Sequence, residues 1–258
     1  MHSLKMKSFS RRGSSFSATS HGSELAQPTA VTPTALPPRV AQLRSLFTAP
    51  VKSLCPGARI FEPGQPARNL FFVATGLVKL SDMSPAGHEV IIHVYQPGDI
   101  FGERCFLEAT QQFFATTIES SDVLERPLTD VIDAIKARPD MLLGLLGGLS
   151  GRLTAIDGAF HSFVADPVLV RLGAKLLALA STSAREGDWL DLPHGFSHED
   201  FAQMLGVHRE TVTRAIASLK KLGVVATARR RPIRIHRREM RRFLGRHDTS
   251  VNVWSLGR

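Results

Sequence analysis

Within GVHRETVTRAIASLKKLG (residues 206–223), Arg209, Glu210, Thr213 and Arg214 fall on one arc of a helix turning about 100° per residue, opposite Val212, Ala215, Ile216 and Leu219. Two guanidinium groups and a carboxylate at this spacing have the chemistry for reading base edges. An arginine donates a bidentate pair of hydrogen bonds to guanine O6 and N7, and a carboxylate accepts from the cytosine N4 amino group. Glu210 is the informative member, because phosphates repel a carboxylate and sequence-blind binding gains nothing from it. The expected base readers are therefore Arg209, Glu210, Thr213 and Arg214. An ordinary solvated face backed by an ordinary core face has the same pattern, so the flanking elements must decide between the two.

Those elements favour a helix-turn-helix. In SHEDFAQMLGVHRETVTRAI, Ser197 and Asp200 form an S-x-x-D capping box that opens a first helix. Ala202 is small where two helices must cross, Gly206 sits in the turn, and Val212 packs the second helix onto the first. His208 is a weak N-cap for that second helix. Downstream, GVVATARRRPIRIH predicts a two-stranded wing whose turn carries Arg229, Arg230 and Arg231, expected with His208 to contact phosphates. RREMRRF at 237–243 reads either as a further phosphate-contacting segment or merely as a basic terminal helix. The charge is placed accordingly. The whole chain of 258 residues carries a formal net charge of +9, and residues 166–258 hold seventeen Lys and Arg against nine acids. Residues 41–165 hold ten against thirteen. A basic C-terminal region beside an acidic one points to a polyanion partner for the C-terminal half alone.

Upstream, residues 1–40 are Ser-, Thr-, Pro- and Ala-rich without periodicity, and a disordered tail is expected there. From about 59 to 126, short β-rich runs (ARIFEPG, LFFVATGLVKLSD, HEVIIHVYQPG, DIFGE, FFATTIES, DVLERPL) alternate with Gly- and Pro-bearing turns, predicting an antiparallel sandwich or roll. After KARPD the period becomes helical. Leu142, Leu146, Leu149, Leu153, Ile156, Phe160 and Phe163 step by four and three, the seam of a two-helix coiled coil, and predict a homodimer. The helix should break at Asp166–Pro167. No stretch reaches the roughly 20 apolar residues of a membrane span, no signal peptide follows Arg11–Arg12, and the two cysteines, Cys55 and Cys105, suit a reducing compartment. A cytoplasmic protein that does not enter membranes is expected. Phosphate loops, HExxH pairs and GxSxG elbows are all missing from the sequence, so no enzyme, catalytic residue, cofactor or metal site is expected.

Taken in order, these features resemble the cyclic AMP receptor/Fnr (Crp/Fnr) family of bacterial transcription regulators over residues 41–245. The resemblance implies an α+β chain: a tail over 1–40, an antiparallel β-roll of the cyclic-nucleotide-binding, jelly-roll type over 41–138, and a dimerisation helix over 139–165. A winged helix-turn-helix domain over 166–246 and a C-terminal tail over 247–258 follow. It also implies double-stranded DNA as partner through a palindrome of TGTGA-like half-sites, with RNA polymerase a partner if the protein activates. PGDIFGE at 97–103 is similar to the family's pocket segment, with Gly102 and Glu103 at its glycine and ribose-binding glutamate. Ten residues on, where nucleotide binders carry Arg-Ser/Thr-Ala, this chain has Phe113-Phe114-Ala115, and the adenine-facing polar pair aligns with Ile156 and Asp157. The effector pocket is expected at Gly102, Glu103, Phe113, Phe114 and Ile156. Its effector is unidentified and is expected not to be cyclic AMP; the pocket should take an apolar or uncharged ligand or stay empty. Glu103, without a sugar, should hold local backbone or a neighbouring strand. The remaining possibilities are a cyclic-nucleotide-dependent regulator with an atypical pocket and a non-specific architectural DNA-binding protein. His88, His93 and Cys105 are the local candidates for a haem or redox role.

Overall fold

The computed structural model describes residues 44–47, 50–180, 188–193, 195–227 and 232–247. The two expected tails (except His247) and Arg229, Arg230 and Arg231 lie outside these residues.

Eight strands come first: β1 Val51–Leu54, β2 Arg59–Phe61, β3 Asn69–Thr75, β4 Val78–Met83, β5 Glu89–Tyr95, β6 Ile100–Phe101, β7 Phe114–Thr117 and β8 Ser121–Pro127. They form two four-stranded antiparallel sheets, ordered β1-β8-β3-β6 and β2-β7-β4-β5. The unbroken apolar run Leu70–Val73 follows from β3 being buried on both faces. Phe71 and Val73 join Phe61, Tyr95, Phe101 and Val123 in one core, while Leu70 and Phe72 join Phe47, Leu124 and Val131 in another. The stretch LFFVATGLVKLSD, read from sequence as one extended run, divides between the sheets at Gly76. There the chain passes so close to β8 that a Cβ would sit 2.5 Å from the Ser120 carbonyl oxygen.

Helix α1, Leu128–Ala137, has no counterpart in the sequence expectation, which ended in a strand through Leu128. Its signal is present: Pro127 stands just before it, and Leu128, Val131 and Ile135 recur on one face, covering the second core. Helix α2 is the long one, Asp140–Ala165. Its first turns bury Met141 and Leu145 against that same core. The seam residues are open, with Leu142 43%, Ile156 50% and Phe160 67% exposed, whereas Leu149 is half-buried. It ends where Asp166 donates its N–H to the Ser162 carbonyl and Pro167 has no N–H to continue.

The C-terminal region comprises α3 Val168–Ala180, β9 Trp189–Asp191, α4 His198–Leu205, α5 Arg209–Lys221, β10 Val225–Ala226, β11 Arg234–His236 and α6 Arg237–Gly245. Its sheet runs β10-β11-β9, so the expected two-stranded wing gains a third strand from Trp189–Asp191. Leu172, Leu176, Leu190, Phe201, Val212, Leu219, Ile235 and Met240 are fully buried together. Each contributes on the order of 1.5–3 kcal/mol by removal from water. This unit rests on the β4–β5 face of the roll. Val94 packs against the C-terminal core, and the Lys79 ammonium lies 2.9 Å from Glu89 and 3.9 Å from Asp200.

Candidate functional site

Two helices built around one crossing present the charged face. The Ser197 hydroxyl accepts from the Asp200 N–H at 3.1 Å, and the Asp200 carboxylate accepts from the Ser197 N–H at 2.8 Å, so both halves of the capping box form at the start of α4. Gly206 closes α4 in the left-handed region at φ 64°, and Ala202 is buried at the crossing. Helix α5 starts after His208, which is exposed and makes no side-chain cap hydrogen bond. The burial of Val212, Ala215, Ile216 and Leu219 fixes the rotation of α5 about its axis. That rotation leaves Arg209, Glu210, Thr213 and Arg214 exposed side by side. Among the described residues no ion pair occupies the side chains of Arg209, Glu210 or Arg214. The α5 N-terminus adds its partial positive charge beneath Arg209. One contact across the helices was not read from sequence: the His198 ring Nδ1 lies 3.0 Å from Thr213 Oγ1. Fifteen residues separate the pair, and no periodicity within either helix signals it.

The remaining basic residues divide by role. On β11, Arg234 pairs with Asp191 at 3.2 Å and covers the Trp189 ring, so it is taken up in holding the three-stranded sheet together. On α6, Arg242 pairs with Glu239 at 2.9 Å.

A cavity of about 390 Å³ lies in the β-roll, between the β5–β6 turn and the glycine-bearing part of α2. Tyr95, Asp99 and Glu103 face Gly148, Gly151 and Arg152 across it, with Leu70, Leu145 and Leu149 among its apolar lining. Of the five residues expected around an effector, Glu103 lines this cavity, and Gly102, Phe113, Phe114 and Ile156 do not. Both phenylalanines are taken up on the roll surface, where the Arg104 guanidinium lies 4.6 Å from the Phe113 ring and that of Arg59 4.5 Å from Phe114. Ile156 stands half-exposed on the α2 seam. Among the described residues the Glu103 carboxylate is held neither by local backbone nor by a neighbouring strand. It pairs with Arg152 of α2, whose guanidinium also donates to the Tyr95 hydroxyl at 2.8 Å. The second carboxylate oxygen, Glu103 Oε2, is buried without a hydrogen-bond partner among the described residues.

Electrostatics set the character of this cavity. Burial first, then the charges of Arg152 and Lys175, push His93 down to about 4, so its imidazole is neutral at pH 7. Outside the cavity lining, burial and the Glu103 charge push the Cys105 thiol up to about 11, which keeps it protonated near neutral pH. Burial also raises Asp99. Among the described residues no group of three or more His, Cys, Asp or Glu is placed to hold a metal ion, and no helix is long and apolar enough to cross a membrane.

Gly102 sets the approach to Glu103. At φ +85° an added Cβ would lie 2.8 Å from both the Asn69 carbonyl oxygen and the Phe71 ring. Gly102→Ala is expected to destabilise the roll by on the order of 2–3 kcal/mol, from left-handed strain and the clash with β3 together. The check is a lower urea midpoint for unfolding of the full chain, followed by circular dichroism. An unchanged midpoint would refute the expectation.

Comparison with known proteins follows the same division of the chain. Residues 51–138 match the sequence model of the cyclic nucleotide-binding domain, and residues 170–240 match that of the Crp-like helix-turn-helix domain. A global nitrogen regulator from Synechocystis is 29% identical over 183 residues, covering 69% of this chain and 80% of the relative. A CRP-like cAMP-activated global transcriptional regulator from Mycobacterium tuberculosis is 29% identical over 169 residues, covering 65% and 75% respectively. Among solved structures, FixK2 from Bradyrhizobium japonicum superimposes with a TM-score of 0.66 at 22% identity, covering 76% of this chain and 96% of that one.

Proposed function

Since the chain belongs to the Crp/Fnr family of transcription regulators and carries a helix-turn-helix DNA-binding domain, we propose that it binds, as a homodimer, a palindrome with TGTGA-like half-sites, in the cytoplasm. The observation that carries this reading is the α5 face, where Arg209, Glu210, Thr213 and Arg214 stand exposed while Val212, Ile216 and Leu219 lock the helix below them. In this reading His208 and the wing arginines Arg229, Arg230 and Arg231 contact phosphates, and an activating form would engage RNA polymerase. The uncovered seam from Leu142 to Phe163 supports the dimer, since an apolar stripe this long in water favours a second copy. Footprinting on genomic fragments tests it. Protection of discrete palindromes supports the reading, whereas uniform coating would leave an architectural, sequence-blind protein.

The effector in this reading is a small molecule in the roll that is not a cyclic nucleotide. Arg152 is the cation lining the cavity, and Glu103 already occupies it. A cyclic phosphate would have to take Arg152 away and strand the Glu103 carboxylate, at a cost of roughly 3–5 kcal/mol for breaking a partly buried pair. That same arginine is what favours the second reading, an atypical cyclic-nucleotide pocket. Calorimetry separates them. The expected result is no saturable binding of cyclic AMP or cyclic GMP below about 100 μM, a threshold equivalent to roughly 5.5 kcal/mol, and DNA binding indifferent to either nucleotide. Stoichiometric micromolar binding would establish the second reading.

A further inference from the structure

We infer that His198 determines what Thr213 reads: it ties the threonine hydroxyl back, so that Thr213 meets the groove with its methyl group and recognises the C5 methyl of a thymine. This rests on α5 being the helix that enters the major groove. A threonine hydroxyl has one proton. Thr213 Oγ1 lies 3.0 Å from the Arg209 carbonyl oxygen, one turn back on the same helix, and 3.0 Å from His198 Nδ1. Both contacts are satisfied together only when Oγ1 donates to the carbonyl and accepts from an Nδ1–H. The hydroxyl then has no proton left for a base acceptor. Oγ1 and Cγ2 branch from one carbon, so fixing the hydroxyl fixes the methyl as well. His198 is itself held. It is the first residue of α4, immediately after the Ser197 cap, so the tie joins the scaffold helix to the reading helix. Of the base edges in the major groove, only thymine offers a methyl to meet such a group.

The test uses the full chain and the best duplex it selects from a random library, with each half-site thymine replaced in turn by deoxyuridine, which lacks only the methyl. One position per half-site is expected to weaken wild-type binding by about threefold to fivefold, the effect of one buried methyl. Thr213→Val should keep this discrimination, and Thr213→Ser should lose it. His198→Ala should reduce it towards onefold, and His198→Asn, whose amide nitrogen can donate from near the Nδ1 position, should restore it. A wild type indifferent to uridine at every position would overturn the inference, as would unchanged discrimination in His198→Ala. The reading of α5 fails differently: no duplex is then selected at all.

Discussion

Aspartate in place of Ile156 is expected to leave the chain monomeric at micromolar concentration and to lower its affinity for a palindromic site by at least about a hundredfold. Ile156 lies in the middle of the seam, and half of its surface is open to solvent in the single chain. Pairing two such helices in parallel brings each Ile156 against its counterpart. Two carboxylates there would be buried face to face without a cation, and an uncompensated buried charge costs roughly 3–5 kcal/mol. Loss of the dimer removes the advantage of the second half-site, whose effective concentration adds about 10²–10⁴ in avidity. Sedimentation with a parallel titration of the selected duplex reads both effects. A variant that still sediments as a dimer, or a wild type that sediments as a monomer, would refute the seam as the interface. The helix itself should survive, because its packed first turns, around Met141 and Leu145, lie far from position 156.

Arg209→Ala is expected to weaken binding to the selected palindrome by about 5- to 150-fold, the worth of one bidentate base contact at 1–3 kcal/mol, while binding to random DNA falls far less. Arg209 is exposed and begins α5, the end of the helix that enters the groove in a helix-turn-helix complex. The neighbouring Glu210 sharpens the comparison, because its charge opposes phosphate contact and is useful only where a base or an arginine receives it. Salt titrations on both duplexes provide the control. A phosphate-contacting arginine would lower the salt slope on both by about one, whereas a base reader acts mainly on the specific site. Equal losses on the two duplexes would reassign Arg209 to the backbone.

The helix-turn-helix was legible from sequence because each of its determinants is local. A capping pair three residues apart, a glycine at a tight turn and an apolar face of period 3.6 act through neighbours in the chain. For that reason Ser197, Asp200, Gly206 and Val212 stand where their types and spacing placed them. The long helix was legible for the same reason, and its uncovered seam is a property of heptad spacing. Pairings distant in sequence were decided only by the tertiary structure. Leu70 through Val73 reads the same whether one or both faces of its strand are buried, and only the docking of α1 on one side and the opposite sheet on the other settles it. The three residues of β9 carry too little pattern to be seen until β11 pairs with them. The cavity is the clearest case. Residues aligned by the family's spacing, Phe113 and Phe114, turn to the roll surface, while Arg152, forty-nine positions from Glu103, swings in from another element to hold that carboxylate. Attraction between two charges depends on distance through space, and sequence encodes that distance only through the fold that closes it.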